Sequence, residues 1–168
     1  MAPLPYAEPI RTSRLDLVPL RVEHAEEMAV VLSDPALHTF IGGSPGTPEA
    51  VRARYERLVA GSPDPSVSWC NWVLRLREDA RLVGTVQATV TGDSVAEIAW
   101  VVGTPWQGRG LASEAAAGLV ARLRERGVGT VVAHIHPGHG ASAAVAAAAG
   151  LSPTEEEQDG ETRWQLRL

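Results

Sequence analysis

The segment "HIHPGHG" places three histidines, His134, His136 and His139, within six positions. Neutral imidazole is the commonest protein ligand for metals, and a catalytic zinc takes three protein ligands and keeps one position open. A metal-dependent hydrolase is therefore one chemistry that these residues suggest. If the segment begins as a strand, His134 and His136 share a face and His139 lies beyond Pro137. Convergence of all three would need the chain to turn back immediately, and no later histidine follows.

A second stretch, "AWVVGTPWQGRGLASEAAAGLV", reads as strand, short turn, glycines and helix. Glycines before a helix let backbone N–H groups approach an anion, and the helix N-terminus adds its positive dipole end. The lysine-bearing phosphate loop of nucleoside triphosphatases is excluded, because the chain contains no lysine. The dinucleotide pattern G-x-G-x-x-G is approached by Gly108, Gly110 and Ser113, but its third glycine is missing and it would follow an antiparallel meander.

The elements that must position these residues follow from hydrophobic period. "TSRLDLVPLR" alternates and predicts a strand, and "VEHAEEMAVVLSD" has helical spacing. A loop, "IGGSPG", precedes a second helix that Thr47 caps and Pro48 starts, running through "EAVRARYERLVA" to Gly61. Three strands in quick succession, "WCNWVLRLR", "RLVGTVQATV" and "SVAEIAWVVG", form a meander. The period then changes. Leu111, Ala115, Leu119 and Leu123 recur every four residues in a helix expected from Gly108 to Arg126 and closed by Gly127. A strand "VGTVVAHI", an alanine-rich helix "ASAAVAAAAG" and a hairpin turning at Asp159-Gly160 complete the chain. The order is β-α-α-β-β-β-α-β-α-β-β, with no linker and no repeat, so residues 1–168 are expected to form one mixed α/β domain.

Composition narrows the partners. The 168 residues carry a net charge of −5, which disfavours nucleic acid and suits a cationic partner such as an amine. No apolar run approaches the roughly 20 residues of a membrane span. The start "MAPLPYAEPIRTSRL" lacks the pattern of a secretory signal, so a cytoplasmic protein is expected. Cys70, the only cysteine, forbids an internal disulfide and reads as a small buried strand residue.

Gln107-Gly108-Arg109-Gly110-Leu111-Ala112 fits Q/R-x-x-G-x-G/A, and here the chain resembles the GNAT superfamily of acyl-CoA N-acyltransferases at their pyrophosphate loop. With its flanks, "AEIAWVVGTPWQGRGLASEA" most resembles the branch of RimJ- and RimL-type ribosomal-protein N-terminal acetyltransferases. "HPGHGASAAVAAAAGL" resembles that family's P-x-N-x-x-S…G-F segment, and the element order matches across nearly the whole chain. The histidine spacing also resembles the H-x-H-x-D-H signature of metallo-β-lactamase-like hydrolases, with Gly138 where that signature has its aspartate.

The GNAT resemblance implies a mixed α+β fold with a central, mostly antiparallel sheet whose fourth and fifth strands are parallel and splay apart. It implies acetyl-CoA as acetyl donor, with no metal, and a primary amine as acceptor: a protein N-terminus or a small molecule. The backbone of Trp100, Val101 and Val102 would pair with pantetheine amides, and one N–H there would polarise the thioester carbonyl. N–H groups of Gly108, Arg109, Gly110, Leu111, Ala112 and Ser113 would hold the pyrophosphate, with Gln107 opening the loop and Arg109 adding charge. His139 stands where relatives have an asparagine that contacts pantetheine, a departure that changes the hydrogen bonds available.

An alkyl ammonium of pKa roughly 10 is almost fully protonated at neutral pH, so a base is needed. The resemblance gives Glu97, on the fourth strand, as first candidate and His134, on the fifth, as second; His136 packs beside it. The last helix has no tyrosine to donate to the leaving thiolate, which leaves Ser142. The early helices and the terminal hairpin would frame the acceptor cleft. Trp69, Trp72 and Trp164 would line that cleft or fill the core, and Glu155 to Glu157 would attract an amine or face solvent. The resemblance admits a homodimer, although no stretch marks an interface. Two rivals stay open: a GNAT-like domain that binds acyl-CoA without catalysis, and a zinc hydrolase built on His134, His136 and His139.

Overall fold

The computed structural model describes residues 4–41 and 44–168. Gly42 and Gly43 of the expected loop, and the first three residues of the N-terminal segment, lie outside the described residues. Eight strands form one sheet: β1 (Ile10–Arg11), β2 (Leu15–Pro19), β3 (Val67–Leu76), β4 (Leu82–Thr91), β5 (Val95–Val102), β6 (Thr130–Ile135), β7 (Ser152–Gln158) and β8 (Glu161–Arg167). Their spatial order is β1-β2-β3-β4-β5-β6-β8-β7. Every pairing is antiparallel except β5 with β6. The strands expected as fourth and fifth from the sequence are thus β5 and β6, because the two-residue β1 adds one strand ahead of them.

The helices are α1 (Ala25–Val31), α2 (His38–Ile41), α3 (Pro48–Ala60), α4 (Leu111–Glu125) and α5 (Gly140–Ala148). Alternation along β3 sorts them into layers. Cys70, Trp72, Leu74 and Leu76 point into one core with Leu111, Ala115, Leu119 and Leu123 of α4. Val73 points the other way, to Met28 of α1 and Tyr55 of α3. Trp72 is 2% exposed, and its indole N–H donates to the Glu8 carbonyl at 2.7 Å. Cys70 is buried, and burial raises its thiol above the ordinary value, as suits an inert core residue.

Helix ends follow local chemistry. Thr47 Oγ1 accepts from the Ala50 N–H at 3.1 Å, and Gly61 ends α3 at φ 88°. The long helix begins at Leu111 rather than at Gly108. Gly108 and Gly110 adopt φ of 78° and 76°, a left-handed conformation that glycine tolerates and that a helix cannot contain. The terminal hairpin turns with positive φ at Asp159 and Gly160, the two-residue arrangement that matches strand twist.

β5 and β6 are paired only from Val95–Thr130 to Glu97–Val132. Beyond Glu97 the two strands separate while β5 stays on β4 as far as Gly84–Val102.

Candidate active site

The splay leaves one edge of β5 uncovered. The Gly103 N–H bonds to the Val83 carbonyl at 2.8 Å, and the β4–β5 register runs without a shift. Antiparallel ladders alternate, so Val101 and Ala99 direct their amides to β4, whereas the amides of Ile98, Trp100 and Val102 point away from β4; Ile98 serves the last rung with β6, and Trp100 and Val102 face the open side. Of the three residues expected to offer backbone there, Trp100 and Val102 do; the Val101 amide serves the sheet. The Val102 carbonyl takes a hydrogen bond from the Gln107 side-chain amide at 2.9 Å, so Gln107 ties the loop to the strand end.

A cleft of about 660 Å³ lies along this edge. Its walls include Trp100, Val101, Val102, Gln107, Gly108, Gly110, Leu111, Ala112, Ser113 and His139. Two helices begin at it. Gly110 caps α4 without a side-chain hydrogen bond, and the first bond closing the helix is Glu114 N–H to the Gly110 carbonyl at 3.0 Å. The amides of Leu111, Ala112 and Ser113 therefore have no partner within the helix. His139 caps α5 in the same way, with Gly140 and Ala141 on the cleft wall. Two positive dipole ends facing one space can hold a diphosphate. Leu37, Trp106, Ala144 and Val145 supply apolar wall. Arg109 does not reach this cleft. It borders a depression on the other side of the loop with Ser13, Arg14 and Arg77.

A second cleft, about 520 Å³, meets the first at Trp100 and His139. Alternation on β5 and β6 puts Glu97 and His134 on the same face, and the splay lets the two side chains meet. His134 Nδ1 and Glu97 Oε1 are in hydrogen-bond contact. An ionised carboxylate only accepts, so the imidazole proton of this contact sits on Nδ1 and Nε2 is left as the basic nitrogen. The His134 side chain is 12% exposed and that of Glu97 50%. Ser142, in the first turn of α5, lies 3.4 Å from His139 Nε2. Burial, and secondarily the neighbouring His136, hold His139 below the usual imidazole range.

The three histidines go to different partners. His136 Nδ1 accepts from the Gly138 N–H at 2.9 Å, while His134 faces Glu97 and His139 approaches Ser142. Among the described residues, no group of three or more His, Cys, Asp or Glu side chains is placed to hold a metal ion. None of Trp69, Trp72 and Trp164 lines the second cleft. Trp72 is core, Trp69 is 37% exposed beside Leu58 and Val59, and Trp164 packs on the main core. The acidic run behaves as solvated charge, with Glu155 to Glu157 exposed and Glu156 paired to Arg163 at 3.3 Å. The hairpin tip instead brings Asp159 and Glu161 to the cleft, residues that sequence reasoning passed over. Also missed were Thr12 and Arg14, which bond to Glu114 in the first turn of α4. The acid in that turn was the available sign that a donor would face it.

A family model described as an acetyltransferase (GNAT) domain matches residues 14–152. No curated protein matches at a significant level. Among solved structures, a RimL ribosomal L7/L12 alpha-N-protein acetyltransferase in complex with coenzyme A superposes with a TM-score of 0.81 at 16% identity, over 96% of this chain and 98% of that one. An acetyltransferase (GNAT family) from Bacillus anthracis gives 0.77 at 20% identity, over 95% and 98%. An acetyltransferase from Thermus thermophilus gives 0.74 at 23% identity, over 96% and 100%. At these identities the likeness is one of fold.

Proposed function

The chain belongs to the GNAT acetyltransferase family, and from that membership we propose that it moves an acetyl group from acetyl-CoA to a primary amine where its two clefts meet. The observation that carries this reading is the junction itself. A cleft with two open helix N-termini and a free strand edge joins, at Trp100 and His139, a cleft that holds a carboxylate–imidazole pair.

In the first cleft the amides of Gly108 and of Gly110 to Ser113 take the pyrophosphate, and the Trp100 and Val102 backbone pairs with the pantetheine amides as an added strand would. The Trp100 N–H is the donor for the thioester oxygen. In the second cleft the neutral amine attacks the thioester carbon; the N–C bond forms, the C–S bond breaks, and the amine proton passes to His134 Nε2. Glu97 holds the Nδ1–H and faces the imidazolium that results. The Ser142 hydroxyl donates to the departing sulfur. His139 sits between the clefts, and as the neutral ring it accepts or donates one hydrogen bond there.

The acceptor side suits a cation before it loses its proton. Glu97, Asp159 and Glu161 line the second cleft, and no arginine is among its lining residues. Peptide N-termini and small-molecule amines both meet this requirement, and residues 1–168 serve as one acetyltransferase domain in either case. The RimL likeness in fold favours the peptide.

Thermal unfolding with and without acetyl-CoA tests the donor site. Ligand at about 100 times its Kd adds roughly 2.7 kcal/mol, and each kcal/mol is about 2–4 °C for a domain of this size. A rise of several degrees is expected; an unchanged Tm at saturating concentration would contradict the assignment.

A further inference from the structure

The glycine loop is braced from behind, on the side away from the cleft. Glu114, one turn into α4, accepts three hydrogen bonds from the β1–β2 connection: Thr12 Oγ1 at 2.5 Å and Arg14 N at 2.8 Å on Oε2, and Arg14 Nε at 2.8 Å on Oε1. The same guanidinium reaches forward, and its Nη1 donates to the Arg109 carbonyl at 2.8 Å. One arginine thus joins the first turn of α4 to the loop that precedes it.

The consequence lies in the next amide. A planar trans peptide sets its C=O and N–H on opposite sides, and the structure contains no cis bond among its described residues. With the Arg109 carbonyl held toward Arg14, the Gly110 N–H faces the other way. Gly108, Gly110, Ala112 and Ser113 line the cleft on that side. We propose that Arg14 is a positioning residue that locks the 109–110 peptide with its N–H turned into the cleft, completing the anion site at the start of α4. Glu114 holds the guanidinium in place for this task. The lock is needed because glycines on both sides of Arg109 offer no side chain that resists rotation of the peptide. A flipped peptide would present the Arg109 oxygen, a negative dipole end, to a diphosphate. Lysine is a poor substitute, since it lacks the planar fork that serves two acceptors in two directions.

This inference rests on the acetyl-donor reading, and the test separates the two. Dissociation constants for acetyl-CoA and for pantetheine, which lacks the pyrophosphate, are measured by calorimetry on wild type, Arg14→Ala, Arg14→Lys and Glu114→Gln. The fold of each variant is followed by circular dichroism. The expected result is acetyl-CoA binding weakened about tenfold in Arg14→Ala, the loss of one charge-assisted contact, with pantetheine binding unchanged and Arg14→Lys intermediate. Should Arg14→Ala not fold, Arg14→Lys and Glu114→Gln carry the same comparison. Equal weakening for both ligands would reduce Arg14 to a structural brace, and no weakening in any variant would remove its role; either overturns the proposal. Wild-type protein that fails to bind acetyl-CoA would instead overturn the donor reading, and this inference with it.

Discussion

A carboxylate against an imidazole does more than either alone, because it fixes the tautomer and stabilises the charged ring. Glu97 and His134 stand in that relation at the mouth of the splay. His134→Ala should lower kcat by about 10²-fold or more, the usual contribution of a positioned base. Glu97→Gln keeps an acceptor for Nδ1–H and loses only the charge, so its kcat should fall less, by about tenfold; steady-state rates of both variants check the order. The reverse order would make Glu97 the base. His139 gives a pH dependence. Its folded pKa is depressed, chiefly by burial, so the stability it contributes is present above the ordinary imidazole value, about 6.5, and is lost as pH falls through the folded value. Unfolding midpoints from pH 7 down to pH 5 should therefore drop less in His139→Gln than in wild type. Both members of the pair were legible as separate candidates through the family resemblance, which gives each a place on its strand. Their contact was not, because 37 residues separate them and only the three-rung pairing of β5 with β6 sets the distance.

Elements decide how those side chains are presented. The glycine loop works only if Gly110 keeps its left-handed φ of 76°. Gly110→Ala should cost about 1–2 kcal/mol, and so a few degrees of Tm, while weakening acetyl-CoA binding; melting curves with and without the ligand measure both. A variant with unchanged affinity would show that the loop tolerates another shape. Glu114 adds an acid limit. Burial raises its pKa, but the hydrogen bonds from Thr12 and the Arg14 backbone, with the Arg14 guanidinium, outweigh that and leave it lowered. Its contribution is complete above the ordinary glutamate value, about 4.3, and is lost as pH falls toward the folded one. Glu114→Gln should flatten the fall of stability below that pH in a denaturation series. The glycine loop was legible because glycines before an amphipathic helix carry a specific conformational meaning. Its brace was not, because Thr12 and Arg14 read only as the polar start of a strand. The sequence left the tryptophans open between cleft and core for a related reason: Trp69 and Trp72 lie three apart on β3 and so face opposite sides, and composition does not say which side is a cleft.

For the whole molecule, the order of elements was readable from the change of period at Gly108, where two-residue alternation gives way to a four-residue repeat. Sheet order was less so. That the hairpin enters through β8, and so carries Asp159 and Glu161 over the second cleft, depends on pairing between β6 and β8 that no local pattern encodes. The assembled protein has one cleft lined by Glu97, Asp159 and Glu161 and another at the starts of α4 and α5, meeting at Trp100 and His139. Family membership makes the chain an acetyltransferase; in the site proposed for it, the acetyl group would pass from the α4–α5 side to the hairpin side. The most direct test is release of the CoA thiol from acetyl-CoA, followed continuously with and without a panel of peptide N-termini and small amines. Thiol release that depends on an amine, with the acetylated amine found by mass spectrometry and the rate lost in His134→Ala, is the predicted result. Acetyl-CoA that binds yet yields no amine-dependent thiol with any acceptor would contradict it, and would make this a domain that holds the donor without using it.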